Sequence, residues 1–330
     1  MPLRFPRRRL LSAAAAALLA GAAALPAEAQ PAWPARPIRL VVPYTPGGFT
    51  DQMARLVQPG LQQLLGQTIV VDNRPGANSI IGVDAVAKAA PDGYTFAVVI
   101  AAYAANTTLY PKLPYDPAKD LQGVALLGVS PLLAAVNNQA PFRTARELAA
   151  YAKAHPGELS YGSSGNGSAA HLTSELFKSV TGTDMVHVPY KGAAPALTGL
   201  LGNETQLLLD APTGLINMGQ QGKVRLIGVA GDKRLPALPE VPTFIEQGFA
   251  GFTGSTWAGV LAPAGTPPET VRRMAEALTA VIRGDALRPR LEAMGTFAGG
   301  GTPAEFDAFI AAETAKWGKV IREAKVRTDP

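Results

Sequence analysis

Short apolar, β-branched runs alternate with stretches of helical periodicity along most of this 330-residue chain. Residues 38–42, 68–71 and 95–100 read as strands, with helices near 51–65 and 80–89 between them. That alternation predicts βαβ units and a mostly parallel sheet. Gly66 stands where a helix C-cap belongs. Pro59-Gly60 conflicts with its surroundings, because a proline inside a helix removes a hydrogen bond and should kink or split it. The middle repeats the scheme: strands near 132–136, 158–161, 185–188, 206–209 and 224–230, with helices near 144–154, 168–180 and 193–201. After a proline-rich stretch (235–242) come a strand at 257–261 and helices near 268–282, 286–294 and 303–323. The order fits an α/β protein of two domains, the first completed by the C-terminal third. The division expected is 30–126 plus 232–330 for domain 1 and 127–231 for domain 2, with crossover strands near 124–129 and 224–230.

The first 29 residues read as an export address. Arg4, Arg7, Arg8 and Arg9 precede an apolar run from Leu10 to Leu25, and Ala27-Glu28-Ala29 fits a cleavage site before Gln30. A signal peptide over 1–29 places the mature protein in the periplasm. No other segment is long and apolar enough to read as a membrane span. This segment carries four arginines and one glutamate, so without it the net charge falls from +5 to +2. Lys and Arg are otherwise scattered and not interleaved with aromatics, which argues against nucleic acid as a partner. Cysteine is absent, excluding disulfides, thiolate metal sites and cysteine nucleophiles.

The chemistry concentrates in two strand-to-helix loops. Pro43-Tyr44-Thr45-Pro46-Gly47-Gly48-Phe49-Thr50-Asp51 leads from the first strand into the first helix. A helix start has unpartnered N–H groups and the positive end of the dipole, and Gly47 and Gly48 leave those amides uncovered. Such a loop suits a small anion, most simply a carboxylate. Gly162-Ser163-Ser164-Gly165-Asn166-Gly167-Ser168 repeats the arrangement in the second domain. Two such loops point to two domains gripping one ligand.

Catalysis is the main rival. The three histidines, at 155, 171 and 187, show no metal-ligand spacing, so no metal or cofactor is expected. The serine-rich loop fails G-x-S-x-G at Asn166 and lacks both the dinucleotide and the Walker pattern. A serine hydrolase using Ser164 or Ser168 is the enzymatic alternative. A ligand-binding module serving a sensor kinase is another. Among the remaining candidates, Asp51 either lines the cleft or fixes the glycine loop. Ser164, Asn166 and Ser168 sit at the mouth of the second sheet, with His171 one turn into the following helix. Tyr190 and Lys191 follow a strand end, where ligands of open α/β sheets collect. Asp210 ends an apolar strand, and a carboxylate there needs a hydrogen bond or a ligand amine or hydroxyl.

Taken in order, several segments resemble the Bug-type (Bordetella uptake), TctC-like substrate-binding proteins of tripartite tricarboxylate transporters. They include Pro43-Tyr44-Thr45-Pro46-Gly47-Gly48, Asn73-Arg74-Pro75-Gly76-Ala77 and Ala90-Pro91-Asp92-Gly93-Tyr94-Thr95. His187-Val188-Pro189-Tyr190-Lys191-Gly192 and Leu238-Pro239-Glu240-Val241-Pro242-Thr243 continue the match, which spans essentially all of the mature chain. The resemblance implies a type II-like periplasmic-binding-protein clamshell, each domain a mostly parallel sheet flanked by helices, hinged on the two crossover strands. It implies a monomer that is not an enzyme, closing on a small carboxylate and delivering it to a two-subunit membrane permease. The family's ligand loops map onto Tyr44 to Asp51 and Ser163 to Ser168. Three departures bear on the ligand. Asn78 and Ser79 stand where the family commonly has two glycines, the loop after Ile100 is apolar at Ala101 and Ala102, and Phe49 replaces a smaller residue. An apolar wall of Phe49, Ala101 and Ala102 points to an aromatic or longer aliphatic acid.

Overall fold

The computed structural model describes residues 33–327, so the signal segment and its cleavage point lie outside the described residues. Two sheets organise the chain. The first contains β1 (Ile38–Val42), β2 (Ile69–Asn73), β3 (Thr95–Ile100), β4 (Leu121–Pro131), β10 (Ser255–Pro263) and β11 (Phe297–Ala298), in the order β11-β4-β10-β3-β1-β2. The second contains β5 (Leu133–Asn137), β6 (Ser160–Ser163), β7 (Val186–Pro189), β8 (Leu207–Asp210) and β9 (Val224–Val229), in the order β7-β6-β8-β5-β9. Both are mixed where mostly parallel sheets were expected. β2-β1-β3 and β7-β6-β8 are parallel, while β10, β4, β11, β5 and β9 run antiparallel to their neighbours. β4 passes directly into β5 of the second lobe, and the chain returns from β9 to β10 without an intervening helix, so these two connections are not the helical crossovers that make neighbouring strands parallel.

Helices cover both faces of each sheet. α1 (Phe49–Leu65) is amphipathic, burying Met53, Ala54, Val57, Leu61 and Leu65 at helical spacing. It stays one element through Pro59-Gly60, against the expected split. Gly60 lets Val281 of α8 (Pro268–Arg283) approach to 2.7 Å of where a Cβ would stand. The close packing so gained, on a face with five fully or nearly buried apolar residues, outweighs one lost hydrogen bond. Gly66, at φ 67°, closes the helix as expected. In the second lobe α4 (Ala145–Ala154) starts at Thr144, whose side chain accepts from Glu147 N–H as an N-cap.

The lobes meet at three backbone strands. Leu132 N–H donates to Gly254 O (2.9 Å), Ala230 to Leu132 O (2.8 Å) and Gly254 to Ala230 O (2.9 Å). Phe244 and Phe252, assigned to domain 1 by a boundary at 231, pack in the core of the second sheet. The chain rejoins the first sheet only at Ser255. A second junction is apolar: Ala105 and Leu109 of α3 (Ala101–Leu109), Leu172 of α5 (Ala169–Thr181) and Trp317, Val320 and Ile321 of α10 (Pro303–Glu323) form one cluster. Glu313 anchors α10, accepting the indole N–H of both Trp257 (3.0 Å) and Trp317 (2.8 Å). The short α9 (Arg288–Ala293) links α8 to β11. No helix among the described residues is long and apolar enough to cross a membrane.

Candidate functional site

Each parallel strand of the first lobe runs into a helix whose N-terminus lacks a side-chain cap: α1 after Gly48, α2 (Ile80–Ala87) after Ser79 and α3 after Ile100. Parallel strands put these three starts along one sheet edge. In the second lobe β6, β7 and β8 lead into α5, α6 (Ala193–Leu201) and α7 (Pro212–Gln220). The N-termini of α6 and α7 also lack side-chain caps. α5 alone of these is capped, by Ser168 Oγ accepting from His171 N–H (3.2 Å). The carboxyl edges thus present unfilled helix N-termini, which favour negative charge without a lysine or arginine.

The first loop is braced from beneath. Asp51, 3 % exposed, accepts from Gly47 N–H (2.9 Å) and Arg55 Nε (2.9 Å) on one oxygen and from Asn73 Nδ2 (3.0 Å) on the other. Asn73 also donates to Tyr44 O (3.0 Å). Burial raises the Asp51 carboxyl, but the bonds from Arg55, Gly47 and Asn73 prevail and hold it below its usual range. Of the two roles open to Asp51, the contacts are those of the loop-fixing one. The Gly47 amide is taken, so the amides beyond Gly48 are those left to a ligand. Gly47 needs its φ of +85°, whereas Gly48 is in ordinary extended conformation and exposed. Thr50 is buried and Phe49 packs half-buried on the core.

The segment 77–79 takes positive φ at three successive non-glycine residues, Ala77 (45°), Asn78 (47°) and Ser79 (78°). Such backbone costs energy unless its surroundings impose it. They do so through Asn106 of α3, fully buried, whose Nδ2 donates to Asn78 O (2.8 Å) while its Oδ1 accepts from Asn78 Nδ2 (2.8 Å). Ala101 and Ala102 form the buried first turn of α3, not the loop expected after Ile100. Nothing local to that apolar stretch marked Asn106 for the same reason. Asn106→Leu should cost about 2–3 kcal/mol, since it strands the Asn78 carbonyl and releases the strained turn. Chemical denaturation checks the loss, with an unchanged midpoint contradicting the clamp.

In the second loop Ser163 is fully buried, its Oγ 2.7 Å from His187 Nε2 and 3.2 Å from the Gly165 backbone. A serine beside a histidine invites a nucleophilic reading, yet this Oγ is enclosed and ties the loop back on itself. The serines considered for a hydrolase are otherwise placed: Ser168 caps a helix and Ser164 is half-buried at the strand end. His171 lies under the loop. Its Nδ1 accepts from Gly167 N–H (3.1 Å) and its ring stacks on His187 at 3.8 Å. Burial, then the neighbouring His187 and Lys178, depress its pKa to about 3, so the ring is a neutral acceptor at neutral pH. His171 therefore supports Gly167 from below, a different role from the ligand contact expected of it. Gly167 also has no room for a Cβ against Leu109 of the first lobe. Asn166 is half-buried within this loop. The Tyr190 hydroxyl donates to Glu204 (2.9 Å) and its ring packs behind Gly162 and Gly199. Only its backbone lies at the sheet edge, where Tyr190 N–H donates to Ser163 O (3.0 Å). Lys191 is exposed. No cluster of His, Cys, Asp and Glu able to hold a metal occurs among the described residues.

Asp210 ends β8, 9 % exposed. One carboxyl oxygen accepts from Ala211 N–H (2.7 Å); the other is buried with no partner among the described residues. Burial, offset only in part by that amide, lifts its pKa from 3.8 to about 6.

Comparison with known proteins places this arrangement. Residues 53–326 match the family described as the tripartite tricarboxylate transporter family receptor, TctC. The chain is similar to protein BugT of Bordetella pertussis, 36% identical over 293 residues, covering 88% of this chain and 90% of that one. Among solved structures it is similar to R. palustris Rpa4515 with adipate, at TM-score 0.82 and 38% identity, covering 89% of this chain and 99% of the other. It is also similar to MatC (Rpa3494) from Rhodopseudomonas palustris with bound malate, at TM-score 0.78 and 32% identity, covering 88% and 100%.

Proposed function

The chain belongs to the tripartite tricarboxylate transporter receptor family, and from that premise we propose that it captures a small carboxylate between its lobes and hands it to a two-subunit membrane permease. It is a solute-binding protein of the periplasmic type and not an enzyme. The proposal rests above all on the helix N-termini without side-chain caps along the carboxyl edges of both parallel strand groups. The amides following Gly48 and, in the second loop, the Ser164 amide replace the carboxylate's hydration, each charge-assisted hydrogen bond contributing about 1.5–3 kcal/mol net. The amides of Gly165, Gly167 and Ser168 are bonded within the protein. Solved relatives with adipate and malate fit an acid of this size.

A ligand touching both loops binds the closed form better than the open one and shifts the population toward it. The closed form is then the state the permease reads. Thermal melting of the protein, refolded to strip carried-over ligand, tests the capture step against mono-, di- and tricarboxylates and aromatic acids. At a hundred times its dissociation constant a cargo acid adds about 2.7 kcal/mol, a shift of roughly 4 °C for a chain of this length. Flat melts across every acid would overturn the proposal.

A further inference from the structure

Asp210 is at a place where an unanswered carboxylate is costly. β6 and β8 run in a register that pairs Tyr161 with Leu207 and Gly162 with Leu208. Two residues further along, Ser164 stands level with Asp210 at the carboxyl edge, one strand spacing of about 4.8 Å away. Strand alternation puts Asp210 on the same face as Leu208, against α6 and α7. The start of α7 touches the first lobe, where a Cβ on Gly295 would come 2.6 Å from Pro212 Cβ. In this corner two polar atoms are buried without a hydrogen-bond partner among the described residues, Asp210 Oδ2 and Thr213 Oγ1. They lie three residues apart on the same strand-to-helix turn. Neither ion pair nor charged neighbour acts on Asp210 among the described residues, so the protein supplies no counter-charge.

A buried acceptor left this way loses its hydration and regains nothing, a cost that a binding site keeps when the ligand supplies the missing partner. A second carboxylate would be repelled. A hydroxyl can donate to Asp210 Oδ2 while accepting from the Thr213 hydroxyl, and an ammonium can donate to both. We propose, resting on the capture reading above, that Asp210 and Thr213 form a donor-recognising subsite, so that the cargo is a carboxylic acid with a hydroxyl or amino group on its second or third carbon. The one-strand spacing sets that position: the carboxylate occupies the Ser164 amide while the donor reaches the neighbouring strand end.

Isothermal titration with carbon-matched acids tests the subsite. The probes are succinate, malate and aspartate, then butyrate with 2-hydroxybutyrate and 3-hydroxybutyrate. In one or both sets a donor-bearing acid should bind about 10- to 100-fold more tightly than its plain counterpart, as expected for a hydrogen bond to a charged group. Asp210→Asn keeps the oxygen that Ala211 N–H holds and presents an amide donor where Oδ2 stood, so a preference for the amino acid should collapse to within about threefold. Asp210→Ala, which leaves no side-chain acceptor, should do the same to a preference for the hydroxy acid. Thr213→Val should reduce the hydroxy-acid preference more than the amino-acid one. Equal binding of plain and donor-bearing acids, an amino-acid preference that survives Asp210→Asn, or a hydroxy-acid preference that survives Asp210→Ala, would overturn the subsite and leave the capture reading standing. Failure of every carboxylate to bind would overturn both.

Discussion

Gly48→Val is expected to weaken carboxylate binding at least about a hundredfold while the ligand-free protein melts within about 2 °C of the parent. The separation of the two effects rests on local geometry. Gly48 has φ −73° and ψ 170°, backbone that any residue adopts, and a Cβ there meets only Thr45 O at 3.7 Å. Folding therefore has little objection to a side chain. The amides of the first turn of α1 do object, because a branched side chain at the N-cap covers the direction from which a carboxylate approaches. Losing two charge-assisted bonds of about 1.5–3 kcal/mol each removes two or more decades of affinity. Gly47 would be the wrong choice, since its φ of +85° makes any substitution strain the loop whatever it does to the ligand. Titration of the variant with the acid that shifts the parent most is the check. Unchanged affinity would remove this loop from the site.

Asp210→Asn is expected to make the ligand-free protein more stable at pH 8 by about 1–3 kcal/mol, with the advantage vanishing below pH 4. The native carboxyl titrates near 6 against 3.8 ordinarily. The folded state thus holds a proton that the unfolded chain releases, and above pH 6 the charged carboxylate weighs against folding. A rise of this size corresponds to roughly 3 kcal/mol, part of which the buried amide of asparagine takes back. Below 3.8 both states of the parent are protonated and the difference is gone. His171 works in the opposite direction, since the folded ring refuses a proton that the unfolded chain accepts below about 6.5. Parent and variant share that loss, so it cancels in their difference. Melting temperatures of the two proteins from pH 8 to 4 measure the curve; a constant offset, or a less stable variant at pH 8, would contradict it.

Both effects come from one physical arrangement, a cleft that keeps unsatisfied groups of both signs. Helix N-termini without side-chain caps follow the strand ends, and Asp210 Oδ2 is buried with no donor among the described residues. Such groups are sources of instability that a ligand repairs. Selection for a function that needs the ligand can maintain them against the stability they cost.

Much of this was legible in the sequence, for identifiable reasons. β1, β3, α6 and α10 fall at the expected residues because each pairs a clear period with a clear stop. α3 did not, because Ala101 to Ala105 and Asn106 are all buried and a helix enclosed on every side has no polar face to set its phase. α7 was missed because Pro212-Thr213-Gly214 reads as a turn, whereas Pro212 occupies the first helical position, where proline is welcome. The two glycine-bearing loops announced themselves as gaps between a strand and a helix. Their supports did not. Asn73, Asn106 and His187 reach the loops from elements that only tertiary packing brings near, so no local spacing in the chain marks them. His171 lies one turn inside the helix as expected, with its ring turned under the loop, a placement that depends on His187 stacking from another strand.

Whether amides of both lobes hold one carboxylate is decided by a crystal structure of the protein with the acid giving the largest melting shift. Carboxylate oxygens are expected within about 3.2 Å of backbone N–H groups beyond Gly48 on one side and within 163–168 on the other. A ligand lodged elsewhere, such as the cavity of about 150 Å³ between Arg283, Arg288 and Thr296, or touching the loop of one lobe alone, would contradict capture between the lobes.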